Sequence, residues 1–333
     1  MQPAAVSVLL PFRDAAQTLA AAVESIQAQT LAQWELILFD DGSQDYSRQI
    51  ASHFAAHDAR IRVIHSDHVG IVQALHRAAD EASGPLFARM DADDIAAPGR
   101  LEKQAALMSD RPDAAICGTQ VTIAGSAVGS GRCRYETWVN ALVTHEAIVR
   151  ELFVECPLPH PTFMMRRDAY YSVGGYQDLG WAEDYDLCMR FFLAGLRFGK
   201  VPEPLLEWAD TPGRLSMTDP RYSPASFRAL KRHYLRQTYL KGRQTFFQWG
   251  AGEVGKRWLR EWDEPRPTAV VDINPRKIGR TIHGVPVIAP EQLPAPSETF
   301  AVVTVGTPGA RDDIRQRLEP RGYRETVNYL FLA

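Results

Sequence analysis

Phe87-Ala88-Arg89-Met90-Asp91-Ala92-Asp93-Asp94 is the stretch on which the reading of this chain turns. It reads as a short apolar strand, Leu86 to Met90, running straight into three carboxylates. Side chains alternate along an extended segment, so Asp91 and Asp93 are expected on one side. Acidic oxygens at the carboxyl end of a strand suit a divalent cation, and such strand ends are where open α/β sheets bind ligands. Taken alone, the stretch reads first as a solvated acidic turn leading to the helix that follows Pro98. The flanking sequence decides between the two.

Upstream, Val6 to Leu10 is a continuous apolar run of the kind buried on both faces of a parallel sheet. Leu19, Ala22, Val23 and Ile26 then recur at helical spacing, which predicts a helix from Ala15 to about Gln29. Glu35 to Phe39 is a second strand ending in Asp40-Asp41-Gly42-Ser43-Gln44-Asp45, and Ile61 to His65 a third. Gly70 to Ser83 carries Ile71, Ala74, Leu75 and Ala78 on one helical face. This alternation predicts an α/β fold with a mainly parallel sheet flanked by helices. It also brings two acid-rich turns to one sheet edge.

Downstream, Pro98-Gly99 opens a helix to Met108, and Ala114 to Thr119 reads as a strand. Val121 to Arg134, rich in glycine, serine and small residues, reads as a loop or hairpin. Cys156 to Pro161 holds too many prolines for a regular element, and Val173-Gly174-Gly175-Tyr176 reads as a tight turn. Trp181 to Leu187 opens a helix with Glu183, Asp184 and Asp186 in its first turn, where the dipole favours acids.

With 333 residues, the chain calls for one large domain and a smaller one. The net charge of −3 argues against nucleic-acid binding. Four dispersed cysteines without a CxxC pair read as thiols of a reducing compartment, and no apolar run reaches membrane-span length, so a cytoplasmic protein is expected. The basic helical stretch 223–244 reads first as the solvated face of a connecting helix, with contact to an anionic membrane surface as the lesser reading. Beyond it, Phe246 to Trp249 leads into Gly250-Ala251-Gly252-Glu253-Val254-Gly255, followed by a strand ending at Asp272 and another from Ala301 to Val305. This is the fingerprint of a small Rossmann-like unit over 245–333, although close helix–strand packing also needs glycines.

Several motifs occur in order. They are Val6-Ser7-Val8-Leu9-Leu10-Pro11, Asp40 to Asp45, Asp91-Ala92-Asp93-Asp94, Pro98-Gly99-Arg100-Leu101, His160-Pro161-Thr162, Gly174-Gly175-Tyr176 and Glu183 to Leu187. Together they resemble the inverting family 2 glycosyltransferases of GT-A fold, over about residues 4 to 220. The resemblance implies that Pro11 and Asp41 line a nucleotide pocket, with Arg13 beside them where the family often has other residues. It implies Asp93 as chief ligand of Mn²⁺ or Mg²⁺ and Asp91 near the metal or ribose. Asp184 would be the general base, Glu183 its neighbour on the acceptor side, and Arg214 a residue closing over the diphosphate. His76 stands where Asn is frequent, so sugar preference does not carry over. The tail resembles small Rossmann-like domains appended to bacterial sugar-modifying enzymes and methyltransferases.

The expectation is a metal-dependent glycosyltransferase (1–222), a basic helical linker (223–244) and a Rossmann-like domain (245–333). It would move a sugar, most simply from a UDP-sugar, to a glycan or lipid-linked glycan in surface polysaccharide synthesis, as a monomer or homo-oligomer. The alternative is an NAD(P)-dependent oxidoreductase centred on Gly250 to Gly255.

Overall fold

The structure is a computed structural model describing residues 4–125, 129–210, 214–307 and 309–333. It divides into two compact units, one comprising 1–148 and 157–222, the other 149–156 and 223–333.

The first unit begins with β1 (Val6–Phe12), α1 (Leu19–Gln27), β2 (Trp34–Asp41), α2 (Ser47–His57), β3 (Ile61–Ser66), α3 (Ile71–Glu81) and β4 (Leu86–Arg89). It continues through β5 (Ile95–Ala96), α4 (Arg100–Asp110), β6 (Ala114–Ala124), α5 (Ser130–Ala141), α6 (His145–Glu151), β7 (Met164–Arg166), α7 (Arg167–Ser172), α8 (Glu183–Leu193), β8 (Arg197–Ala209) and α9 (Leu215–Thr218). α6 runs across the boundary at 148/149. The eight-stranded sheet has the order β3-β2-β1-β4-β7-β6-β8-β5. It is parallel from β3 to β4. Beyond β4 it is mixed, because β7 runs antiparallel to both β4 and β6 while β6 and β8 are parallel. The parallel half has its strand ends at Phe12, Asp41 and Arg89, which brings the predicted acid-rich turns to one edge. Every residue of β1 is buried, as strands covered on both faces require.

Several local expectations need correction. α1 starts at Leu19 rather than Ala15. The backbone N–H groups of Ala15 and Ala16 instead donate to Ser47 Oγ (2.8 Å) and Asp45 Oδ2 (3.0 Å), stitching this loop to the Asp-Asp-Gly-Ser turn. The stretch 121–134 is not simply a loop: Val121 to Ala124 extends β6, and α5 begins at Ser130. Residues 126–128 lie outside the described residues. β8 was not expected, since Pro202 and Pro204 interrupt it; the pairing with β6 shifts register around Pro204.

The second unit contains α10 (Pro224–Gln237), β9 (Phe246–Trp249), α11 (Glu253–Glu261), β10 (Pro267–Val271), β11 (Thr281–Ile282), β12 (Val285–Ile288), β13 (Ala301–Val303), α12 (Ala310–Leu318) and β14 (Tyr329–Phe331). Its sheet runs β11-β12-β10-β9-β13-β14, with all pairs parallel except β11–β12. α10 belongs to this unit. Its cations are committed there: Arg228 pairs with Glu261 (2.6 Å), Arg236 with Asp263 (2.9 Å), and Arg232 donates to the Glu261 carbonyl. Lys231 is buried and donates to the carbonyls of Val154 (2.6 Å) and Leu332 (3.1 Å). These bonds remove much of the charge on which a lipid-facing helix would depend. No helix among the described residues is long and apolar enough to cross a membrane. Cys117, Cys156 and Cys188 are buried free thiols and Cys133 an exposed one.

Candidate active site

β4 ends at Arg89, so Asp91 to Asp94 form a turn and not an extended segment. Strand alternation therefore does not govern their directions. What organises them is a pair of buried guanidinium groups. Arg89, 2% exposed, donates from Nη2 to Asp91 Oδ1 (2.6 Å) and from Nη1 to the Met90 carbonyl. Arg100, fully buried, donates to the Arg89 carbonyl (2.6 Å) and to Gln104 Oε1 (3.1 Å). Burying a cation without partners would cost several kcal/mol, roughly, and these bonds offset that cost. Burial still moves the Arg100 pKa down to about 10, against the pull of Asp94.

Asp91 and Asp93 are half-buried, whereas Asp94 is 1% exposed. Asp94 Oδ1 accepts from Ala209 N–H (2.8 Å), and its Oδ2 has no hydrogen-bond partner among the described residues. Burial first, and the neighbouring Asp91 and Asp93 charges, push its pKa well above the ordinary carboxylate value. Arg214 pairs with Asp210 (2.7 Å). Its pKa is lowered by burial and by Arg132, while Asp210 and Asp93 oppose the fall, which sets Arg214 in the field of the acidic turn.

The second group of acids lies at the start of α8. Glu183 is 1% exposed and accepts from the Tyr222 hydroxyl (2.7 and 2.9 Å to its two oxygens). Burial raises its pKa, with Tyr222 opposing the rise. His160 Nδ1 lies 3.9 Å from Glu183, and its Nε2 lies 2.8 Å from the Tyr176 hydroxyl. Burial, then Arg89, hold the imidazole pKa well below its ordinary value. Asp186 accepts from Arg190 Nε (2.7 Å) and Trp181 Nε1 (2.8 Å), which anchors the helix start. Asp184 is the half-buried acid of this turn, and its Oδ1 accepts from Tyr185 N–H (2.7 Å).

Arg89 is bonded to the first group and lies in the field of the second. Burial opposes its charge, but Asp91, Tyr176 and Glu183 outweigh that and raise its pKa. Acids ninety residues apart in sequence thus share one electrostatic centre. Sequence reasoning did not single out Arg89, Tyr222 or Tyr176, although Arg89 and Tyr176 stood inside quoted motifs. An arginine one residue inside an apolar strand end was the available signal.

At the β2 edge, Asp40 is fully buried against Arg48 (2.8 Å) and His65 (3.2 Å). Asp41 accepts from Val69 N–H (2.6 Å) and Gly70 N–H (3.1 Å), with His68 Nδ1 at 2.8 Å. Pro11 is buried within β1, and Arg13 is exposed beside Asp14 (3.6 Å).

A metal is tested by the donors available. No cluster of three or more acidic, His or Cys donors stands ready among the described residues. Mg²⁺-like cations keep waters and take substrate phosphates, so they need only one or two carboxylates. Asp91 and Asp93, half-buried at a sheet edge, fit that demand.

The profile of the glycosyl transferase family 2 matches residues 7–174. The putative glycosyltransferase EpsE of Bacillus subtilis is 34% identical over 206 residues, 60% of this chain and 71% of EpsE. Among solved structures, S. aureus TarS 1–349 in complex with UDP-GlcNAc aligns at a TM-score of 0.56 with 18% identity, over 70% of this chain and 66% of that one. The mannosyltransferase PcManGT from Pyrobaculum calidifontis, in complex with GDP-Man and Mn²⁺, aligns at 0.51 with 16% identity, over 72% and 64%. These structures share the GT-A fold with this chain, and nothing among the comparisons supports the oxidoreductase reading. The chain belongs to glycosyl transferase family 2 and is a glycosyltransferase enzyme.

Proposed function

We propose that the protein transfers a sugar, with inversion, from a nucleoside diphosphate sugar to a hydroxyl of a glycan or lipid-linked glycan. The observation that carries this reading is the joining of the Asp91 turn and the α8 start through Arg89. In this reading one buried cation serves the donor-side Asp91 and lies in the field of Glu183 at the start of α8. TarS was solved with UDP-GlcNAc and PcManGT with GDP-Man and Mn²⁺, which supports a nucleotide-sugar donor and leaves the base open.

In this reading Pro11, Asp41 and Arg13 form the nucleotide end, Asp93 and Asp91 hold a divalent cation, and Arg214 faces the diphosphate. The cation, when bound, would neutralise charge on the departing diphosphate. Asp184 takes the proton of the acceptor hydroxyl as its oxygen attacks the anomeric carbon, and the bond from that carbon to the diphosphate oxygen breaks. Asp184 suits this role better than Glu183, because Glu183 is buried and engaged by Tyr222. Its place is therefore that of a positioning residue at the start of α8 and not of a group meeting the acceptor.

The test is a panel of UDP-, GDP- and dTDP-sugars assayed with Mn²⁺ and with a chelator. Asp184→Asn should lower kcat by about 10²–10⁴ while leaving donor affinity intact. Asp93→Ala should remove metal-dependent donor binding. Near-normal turnover in Asp184→Asn would sink the assignment of the base, and turnover indifferent to the chelator would sink the metal.

A further inference from the structure

The glycine-rich turn of the second unit takes no part in the transfer chemistry. Its three glycines separate on structural grounds. Gly250 has φ +111°, and a Cβ there would stand 2.7 Å from Val305 Cγ2. At Gly255 a Cβ would stand 1.9 Å from the Gly250 carbonyl oxygen. Backbone conformation and close packing therefore account for both. Gly252 differs: its φ is −79°, open to any residue, and a Cβ would meet nothing within 4 Å. Neither strain nor packing asks for glycine there.

Gly252 lines a cleft of about 580 Å³ at the carboxyl ends of β9, β10 and β13. β9 is the first strand of this sheet in sequence, with β10 on one side and β13 on the other, so the cleft opens at the topological switch point. Its volume is in the range of small-molecule sites. Three features mark what would fill it. Ile273 and Val254 flank it and are 62% and 40% exposed, an apolar pair suited to a planar ring. Asp272, at the end of β10, is fixed by Ala251 N–H (2.9 Å), Asn274 N–H (2.8 Å) and Lys277 Nζ (3.1 Å). Three bonds leave a carboxylate one acceptor site, enough for a ribose hydroxyl. α11 has no side-chain cap, so its first N–H groups face the cleft beside Gly252 without one. Lys277 and Arg317 share the lining with Glu253 and Asp313, so charge alone does not select the ligand.

We propose that this cleft is a second nucleotide site that takes the base, ribose and phosphates of a nucleoside diphosphate. The base lies against Ile273 and Val254, the ribose meets Asp272, and the phosphates pass over Gly252 to the α11 N-terminus. No redox chemistry is attached to it. The site is independent of the donor site in the first unit, and its test keeps the two apart.

Full-length protein carrying Asp93→Ala is titrated calorimetrically with ADP, UDP and GDP in the presence of a chelator. The expected result is saturable binding of at least one of them at one per chain. Gly252→Val and Ile273→Glu, added separately, should each weaken it about tenfold or more. Both sites tolerate new side chains, so thermal unfolding should stay within about 2 °C, and in the background with Asp93 intact transferase activity should be unchanged. Three results would overturn the proposal. One is the absence of binding by all three nucleotides up to about 1 mM. Another is binding that survives both substitutions. The third is NADH binding about tenfold more tightly than every nucleoside diphosphate, with that affinity lost in Gly252→Val.

Discussion

Tyr222→Phe removes one oxygen and leaves the ring in place, so it isolates the bond to Glu183. The Tyr222 hydroxyl sits 2.7 and 2.9 Å from the two oxygens of a carboxylate that is 1% exposed. A hydrogen bond to a charged buried group contributes about 1.5–3 kcal/mol. No cavity opens, so a loss of about 2 kcal/mol is the expectation at neutral pH. For a unit of this size that corresponds to a fall in Tm of roughly 4–8 °C. The pH dependence sharpens the test. Burial already holds the Glu183 pKa above its ordinary value, and losing the Tyr222 bond raises it further. A carboxyl whose folded pKa is raised binds more protons folded than unfolded, so stability falls as pH rises between the unfolded and folded values. The deficit of the variant should therefore be smaller at pH 5 than at pH 8. Circular-dichroism melts across that range supply the measurement, and Glu183→Gln closes a double-mutant cycle. A deficit below about 0.5 kcal/mol, or one that grows on acidification, would refute the picture of Glu183 as a buried anion held by Tyr222.

Other outcomes follow from the same packing. Asp58 is held down to about pKa 2, first by its bonds to Arg60, whose guanidinium also lies 3.7 Å over the Trp34 ring. Its contribution is present above the ordinary carboxylate pKa and lost as pH falls through about 2. Asp58→Asn should cost about 1 kcal/mol at neutral pH after solvent screening, with the difference from wild type vanishing near pH 2 in denaturant titrations. Gly175→Ala imposes φ +61° on a Cβ that would stand 2.8 Å from the buried Tyr170 ring. It should lower stability by about 2–4 kcal/mol in urea melts, and a loss under about 1 kcal/mol would mean the turn has room to relax.

The parallel half of the first sheet was legible because its signals are local. β1, β2 and β4 carry the apolar runs Val8 to Phe12, Leu36 to Phe39 and Leu86 to Ala88, each followed by charged residues. β8 was not legible, because two prolines read as breakers and only the shifted register against β6 accommodates them. α5 was hidden for the opposite reason: glycine and serine at its start suggest a turn, and Tyr135 packs between Trp138 and Trp208 only once the chain has folded back. At the candidate site, residue types pointed to the acids but not to their directions. Asp91 to Asp93 sit in a turn, where alternation has no force, and the burial of Glu183 depends on Tyr222, thirty-nine positions away. The cations of α10 show the same limit, since their acidic partners Glu261 and Asp263 follow a strand and a helix later.

Why an acidic turn should rest on two buried arginines is a matter of charge balance. Arg89 and Arg100 place two positive charges under Asp91, Asp93 and Asp94. Burial and its two neighbours hold the Asp94 pKa well above the ordinary carboxylate value, while the two buried guanidinium groups offset the negative charge of the turn. In the proposed reading, a turn offset in this way would neither trap a cation irreversibly nor repel a diphosphate, and a divalent cation with a nucleoside diphosphate sugar of charge about −2 would enter and leave as a neutral pair. Replacing Arg89 with an apolar residue would upset that balance and leave the turn too negative for a diphosphate. In the proposed reading, the arginine bonded to Asp91 and lying in the field of Glu183 would therefore also set the charge at which the donor is received.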